Sequence, residues 1–178
     1  MSGQIEPESR PQPRRAKWRV VLTNLLLIIV VVAAIRAWQQ RDMVSGAAPE
    51  LRGITLAGEF YDLPEHLRRP LLVHFWASWC GICRAEQGSI AAIAHDYQNV
   101  ITVAMHSGKP EAVADFMHTQ GIAFPVLNDE QGWISDRWGV HAVPASFIID
   151  RAGQIRFIEV GYTTEIGLRL RLWWVDMF

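Results

Sequence analysis

The chain has 178 residues, half of them hydrophobic, and a formal net charge of −1 from 17 basic and 18 acidic side chains. That length suits one domain of ordinary size with an appendage. Seven basic and two acidic residues precede position 42, whereas 10 basic and 16 acidic residues lie from Asp42 onward, so the globular part is acidic and a poor binder of nucleic acid.

Residues 1–17 hold Pro7, Pro11 and Pro13 among charged side chains, which predicts an unstructured basic tail. The run Val20–Ile35 is apolar except for Thr23 and Asn24. Trp18 and Trp38 bracket it like interfacial aromatics, and as a helix the bracket spans about 30 Å, the depth of a bilayer core. Arg19 and Arg36 lie inside the bracket and would snorkel to its ends. A helix buried in a protein core normally shows a polar stripe, and this run has none. Arg10, Arg14, Arg15, Lys17 and Arg19 precede it, which puts the N-terminus in the cytoplasm and the rest outside. A cleavable signal peptide ending near Val32-Ala33-Ala34 is the alternative. The long basic region and the continuing apolar run favour an uncleaved anchor, and both readings export the remainder. Met43–Pro49, with Ser45-Gly46-Ala47-Ala48, reads as a linker. The expected division is a cytoplasmic tail at 1–17, a transmembrane anchor at 18–38, a linker at 39–49 and a folded domain at 50–178.

Within that domain, Leu51–Leu63 alternates and carries Gly53 and Gly58, predicting a short hairpin. Leu71–Trp76 and Val100–Met105 are continuous apolar runs, the pattern of buried strands. Between them, Cys80 to about Tyr97 has Ile90, Ile93 and Ala94 at helical core spacing. Pro110 suits the first turn of a helix running to about Gln120. A short strand is expected at Ala123–Leu127, interrupted by Pro125, and a short helix at Trp133–Trp138. Ser146–Asp150 and Gln154–Val160 read as a hairpin around Arg151-Ala152-Gly153, and a last helix runs from Thr163 to about Val175 with Thr164 as N-cap. This order predicts an α/β fold, a mixed sheet with helices on both faces.

The only two cysteines stand as Cys80-Gly81-Ile82-Cys83, at the end of a predicted strand and the start of a predicted helix. The first turn of a helix leaves N–H groups unpaired, and its dipole is positive there, so a thiolate is stabilised. Cys80, at the helix mouth, is the expected exposed nucleophile; Cys83, nearly a turn inward, is the expected resolving thiol. Arg84 adds a nearby positive charge. Half of a zinc site is the first alternative, but there are no further cysteines and the six histidines form no H-x₃₋₅-H pair. A structural disulfide is the second, although so short a loop removes little chain entropy.

The block Val73-His74-Phe75-Trp76-Ala77-Ser78-Trp79-Cys80-Gly81-Ile82-Cys83 resembles the active-site strand and motif of thioredoxin-fold proteins. Val143-Pro144-Ala145-Ser146-Phe147 resembles the segment in which that family carries a cis-proline. Phe75-Trp76-Ala77-Ser78-Trp79-Cys80, Glu86, the extra strand–helix block and the single anchor are similar to the TlpA/ResA/CcmG branch, and Gly81-Ile82 followed by Arg84 to its suppressor-of-copper-sensitivity protein D type. The resemblance implies a redox-active Cys80–Cys83 disulfide with no other cofactor and no metal. It implies that Pro144 is cis beside the thiols, leaving the Val143 N–H and C=O to pair with an extended substrate segment. Trp79, Gly81 and Ile82 belong to the motif, and Trp76 and Trp79 are expected at the thiol rim.

Three positions qualify the resemblance. His74 stands six residues before Cys80, where thioredoxins carry a buried acid; a pKa nearer neutral would let it pass protons to or from Cys83. A hydrogen-bonded core histidine is the alternative. Glu86 matches a branch glutamate near the thiols, placed to raise their pKa values or carry protons, or else it lies on the helix surface. Ile82 replaces thioredoxin's proline, so thioredoxin's reducing strength does not transfer. His106 and His141 are expected as solvated loop residues, and Trp133, Trp138, Trp173 and Trp174 as packing residues.

These features imply a thiol–disulfide oxidoreductase held by one span in a bacterial inner membrane, its domain in the periplasm. A membrane electron carrier of the DsbD/ScsB-like type would reduce it, and periplasmic proteins with disulfides or thiols would be its clients. The oxidase direction runs the same exchange backward. A copper-binding assembly factor of the same fold is the other reading, although Sco-type proteins use Cys-x₃-Cys with a distant histidine.

Overall fold

The computed structural model describes residues 14–40 and 43–178, the helix at 14–40 without the side chains at 14–17, 19, 33 and 36–40. The chain divides into two units between Trp38 and Gln39. The first is built on α1, Arg14–Gln40, a 27-residue helix whose described side chains are all exposed. Among the described residues, no helix is long and apolar enough to cross a membrane. The apolar run at 20–35 alone rises about 24 Å, against a bilayer core of about 30 Å. The tail expected to be unstructured over 1–17 is helical from Arg14; its part before residue 14, the snorkelling of Arg19 and Arg36 and the anchoring ring of Trp38 lie outside the described residues.

The second unit is built on a six-stranded sheet in the order β1-β8-β7-β4-β5-β6. These strands are β1 (Gly46–Ala47), β4 (Leu71–Trp76), β5 (Val100–Met105), β6 (Val126–Asp129), β7 (Ala145–Ile149) and β8 (Gln154–Val160). β2 (Arg52–Ile54) and β3 (Phe60–Asp62) form a separate antiparallel hairpin, tied to β6 by a bridge between Thr55 and Leu127. β4, β5 and β6 are parallel; β7 is antiparallel to β4 and β8. The helices are α2 (Gly81–Tyr97), α3 (Pro110–Gln120), α4 (Trp133–Arg137) and α5 (Glu165–Met177). The fold is thioredoxin-like, a mixed sheet flanked by helices.

Side chains alternate across the central strand β4. Leu71, Val73 and Phe75 join Ile101, Val103, Phe147 and Trp138 in the core on one face, which the hairpin segment and α4 cover. Leu72 and Trp76 join Ile90, Ile93, Val113, Leu168 and Leu172 on the other, beneath α2, α3 and α5. Each fully buried Leu, Val or Phe contributes roughly 1.5–3 kcal/mol, so the two clusters fix which way β4 faces.

Two segments differ from the sequence expectation. Met43–Pro49 is part of the fold rather than a free linker: Met43 is buried, Gly46 and Ala47 pair with Ile155 and Gln154, and Ala48 N–H bonds the Gly153 carbonyl at 2.8 Å. This pairing covers the edge that β8 would otherwise leave open. β6 starts at Val126, not Ala123, because Pro125 has no N–H to give to a ladder. The Pro125 carbonyl is used instead, accepting from Thr102 N–H and Thr102 Oγ, each at 2.9 Å.

Candidate functional site

β4 carries the chain to one end of the sheet, and the turn after Trp76 ends in a bond from Cys80 N–H to the Ala77 carbonyl, 3.1 Å. Cys80 is the N-cap of α2, with extended backbone (φ −84°, ψ 111°). Its Sγ accepts a hydrogen bond from Cys83 N–H at 3.1 Å, in the manner of a capping oxygen. In the reduced protein that donor and the helix dipole favour a thiolate on Cys80 over one on Cys83.

Cys80 and Cys83 are joined in a disulfide, with Cα atoms 5.3 Å apart. Cys80 is 7% exposed and Cys83 1%. The order of exposure follows the sequence reading, but Cys80 is not an open nucleophile in the oxidised form. Its sulfur is bonded to Cys83, and the Val143 carbonyl oxygen lies 3.6 Å from it. With no thiol hydrogen present, that is a contact rather than a hydrogen bond.

The Val143–Pro144 peptide is cis. Pro144 is buried, and its carbonyl accepts from Gly161 N–H at 2.8 Å, which ties it to the end of β8. Val143 is half-buried beside Cys80, while Gly81 and Ile82 are exposed at the mouth of α2. A Cβ at Gly81 would meet only the Arg84 side chain, at an ordinary 3.8 Å, so space does not demand glycine there. Arg84 donates to the Ser78 carbonyl at 3.3 Å and keeps its charge at the rim.

Trp79 is exposed, and its indole N–H donates to the His106 carbonyl at 3.0 Å. His106 holds that carbonyl from a left-handed backbone (φ 44°). Trp76 does not reach the rim: it is buried against Phe116 and Phe124, and its indole N–H is taken by Thr102 Oγ. His106 and His141 are exposed on loops. Of the four later tryptophans expected to pack, Trp138 is fully buried; Trp133 and Trp173 are exposed and Trp174 is partly so.

His74 and Glu86 are both buried on the helical side of the sheet. His74 Nδ1 is 2.9 Å from Ser146 Oγ, its direct neighbour across β4 and β7. Burial pushes its pKa down to about 3, because a hydroxyl partner does not compensate a desolvated imidazolium. This corrects the expectation of a near-neutral pKa: His74 stays uncharged through the physiological range. Glu86 Oε1 accepts from Thr163 N–H at 3.1 Å, and Oε2 is buried without a partner. Burial pushes the Glu86 pKa up to about 7, against the lowering effect of the Thr163 bond. Glu86 stands three residues after Cys83, so both lie on one face of α2. Ser146, Thr163 and the His106 carbonyl went unmarked in the sequence reading. Only Ser146 had a signal, its place two residues after Pro144.

Residues 44–158 match the AhpC/TSA family. The thiol:disulfide interchange protein DsbE homolog of Paracoccus denitrificans is 36% identical over 123 residues, 67% of this chain and 67% of that protein. The thiol-disulfide oxidoreductase ResA of Geobacillus thermodenitrificans is 27% identical over 132 residues, 72% of this chain and 76% of its own. Among solved structures, StoA from Bacillus subtilis superposes with a TM-score of 0.61 at 25% identity, covering 68% of this chain and 95% of that one.

Proposed function

The chain belongs to the AhpC/TSA family and is a thiol–disulfide oxidoreductase of the DsbE/ResA type; from that premise we propose that it works as a membrane-anchored reductase of disulfides in exported proteins. The observation that carries the reading is the Cys80–Cys83 disulfide at the N-terminus of α2, against the Val143 carbonyl and the cis Pro144. Exported location and anchoring are supported by the apolar run at 20–35, the basic residues before it and the exposure of its described side chains. On this reading the tail, anchor, linker and domain keep their order, with the domain taken from residue 43. No cofactor beyond the disulfide is needed.

The cycle begins with both thiols reduced. The Cys80 thiolate attacks one sulfur of a client disulfide, forming a Cys80–client bond and expelling one client thiolate. Cys83 then gives up its proton and attacks Cys80 Sγ, which restores the Cys80–Cys83 disulfide and releases the second client thiolate. Two electrons have passed to the client, and two protons taken up by its thiolates complete the reduction. A membrane dithiol carrier returns two electrons and two protons. Glu86, with a pKa near 7 and a free oxygen, is the group we assign to accept the Cys83 proton. An extended client strand pairs with the Val143 backbone, and Trp79 and Ile82 form the rim it lies on. His74 acts as a neutral, hydrogen-bonded support.

Cys80→Ser is expected to abolish reduction of a client or insulin disulfide; unchanged turnover would sink the assignment. Cys83→Ala is expected to leave client proteins bound through Cys80, and mass spectrometry of those adducts names the clients and the electron donor. If the adducts form only with clients that carry free thiols, and only when Cys80 is supplied as a mixed disulfide with a small thiol that the client thiolate displaces, the protein is an oxidase instead.

A further inference from the structure

β5 ends at Met105, and the loop after it stands beside the loop that carries Cys80, because β4 and β5 are parallel neighbours. The two loops are joined twice. Ser78 N–H donates to Ser107 Oγ at 3.0 Å, and the Trp79 indole N–H donates to the His106 carbonyl at 3.0 Å. Trp79 is 61% exposed and His106 is exposed as well, so water could serve the indole N–H and burial does not call for this bond. His106 nonetheless holds its carbonyl there from a left-handed backbone, φ 44°. That conformation is strained for a residue with a Cβ, and such strain clusters at functional sites.

Three contacts hold His106 in that conformation. Its N–H donates at 3.0 Å to the Asp129 carbonyl, which also accepts from Gly132 N–H at 3.2 Å. Its ring Nδ1 lies 3.2 Å from the Glu130 carbonyl oxygen, and a carbonyl only accepts, so the ring hydrogen is on Nδ1. The ring also lies against Gly132, the left-handed residue (φ 79°) that opens α4. A Cβ on Gly132 would overlap ring atoms Cε1 and Nε2, so a larger residue there displaces the ring. Gly132 is buried, and the Asp129 carboxylate fixes the start of α4 by accepting from Ile134 N–H at 3.0 Å and Ser135 N–H at 2.8 Å.

We propose that His106 and Gly132 are positioning residues for client recognition: the ring seated on Gly132 fixes the carbonyl that aims Trp79, and Trp79 so held is a platform for a polypeptide segment beside the disulfide. The proposal deepens the reductase reading above and rests on it. An exposed indole with its N–H fixed offers a rigid apolar face, and an aromatic ordered in advance loses little freedom when a partner lies on it. That gain goes only to a disulfide embedded in a polypeptide. A disulfide with no chain around it meets the sulfurs alone. The device therefore sets the preference among disulfides, whereas the reactivity of the Cys80 thiolate acts on all of them alike.

The test compares second-order rate constants for oxidation of the pre-reduced full chain, in detergent micelles, by insulin and by bis(2-hydroxyethyl) disulfide. Their ratio is the readout, since a change in thiol reactivity moves both rates together. His106→Gly removes the ring and accepts the left-handed backbone, so the fold is kept. It is expected to lower the ratio roughly three- to tenfold, the loss of one ordered aromatic contact, through the insulin rate alone. His106→Asn is expected to keep the ratio, because asparagine tolerates the left-handed conformation and its Nδ2 takes the place of ring Nδ1. Gly132→Ala is expected to lower the ratio in the otherwise unaltered chain and to have no further effect beside His106→Gly. Adding His106→Gly to Trp79→Ala is likewise expected to change nothing. An unchanged ratio in His106→Gly, or a further fall beyond Trp79→Ala, overturns the positioning role and leaves the reductase reading standing. A reduced, unaltered chain that leaves insulin disulfides intact overturns the reductase reading, and the positioning role with it.

Discussion

His74 and Glu86 are buried on the same side of the sheet, and burial moves their pKa values in opposite directions, His74 from 6.5 to about 3 and Glu86 from 4.5 to about 7. Stability follows the difference in protons bound by the unfolded and folded chains. Between pH 6.5 and 4.5 the unfolded chain carries a proton on His74 and none on Glu86, while the folded chain carries one on Glu86 and none on His74. The two effects cancel, so these groups give a flat stability profile there and an acid-side loss only below about pH 4.5. Glu86→Gln removes one side of the balance. Its stability is expected to fall by about 1.4 kcal/mol per pH unit from pH 6.5 downward, roughly 3 kcal/mol by pH 4.5. His74→Gln is expected to do the reverse, gaining stability as the pH drops from 7 to 4.5. Urea unfolding of the oxidised protein at pH 7, 5.5 and 4.5 measures both, and parallel profiles for the three proteins would refute the assignment. The sequence marked both residues, because each sits at a fixed distance from a cysteine. It did not show their protonation, which depends on partners 72 and 77 residues away, Ser146 and Thr163.

At the scale of elements, α2 positions the disulfide at one end and is stopped at the other by Gln98, which adopts a left-handed conformation (φ 56°) and bonds its N–H to the Ala94 carbonyl. That conformation favours glycine. Gln98 is exposed and its side chain plays no part in the cap, so Gln98→Gly is expected to stabilise the domain by about 0.5–1 kcal/mol without changing disulfide exchange. A higher urea midpoint at unchanged slope would show it; a lower midpoint would mean the side chain carries a contact. The helices were legible because their signals are local: apolar spacing in α2, Pro110 opening α3, and Thr164 capping α5 through its bond from Gly167 N–H. β1 was not legible. Two residues of Gly46-Ala47 have no strand pattern of their own and are extended only because β8 offers an edge. The outward tryptophans were misread for the same kind of reason, since an apolar stripe on a helix does not say which of its faces meets the core. α5 has apolar residues on both.

For the molecule as a whole, the consequential correction concerns where the folded domain begins. A boundary at residue 50 treats Met43–Pro49 as a spacer, yet Met43 is buried in the same core cluster as Trp138, Val44 N–H reaches the Trp138 carbonyl at 3.4 Å, and Gly46–Ala47 closes the edge of β8. Burying a methionine contributes roughly 1.5–3 kcal/mol, and each net backbone hydrogen bond about 1 kcal/mol. Ordering the backbone of the segment opposes these gains, so only part of them survives as net stability. The segment also keeps β8 from pairing with other chains, an effect that the stability sum does not contain. A chain beginning at Gln39 is therefore expected to remain monomeric and to unfold in one transition. One beginning at Glu50 is expected to lose about 1–3 kcal/mol and to associate at high concentration through β8. Urea midpoints together with light scattering over a concentration series compare the two. Equal midpoints and equal monomer masses would return residues 43–49 to the role of a passive spacer.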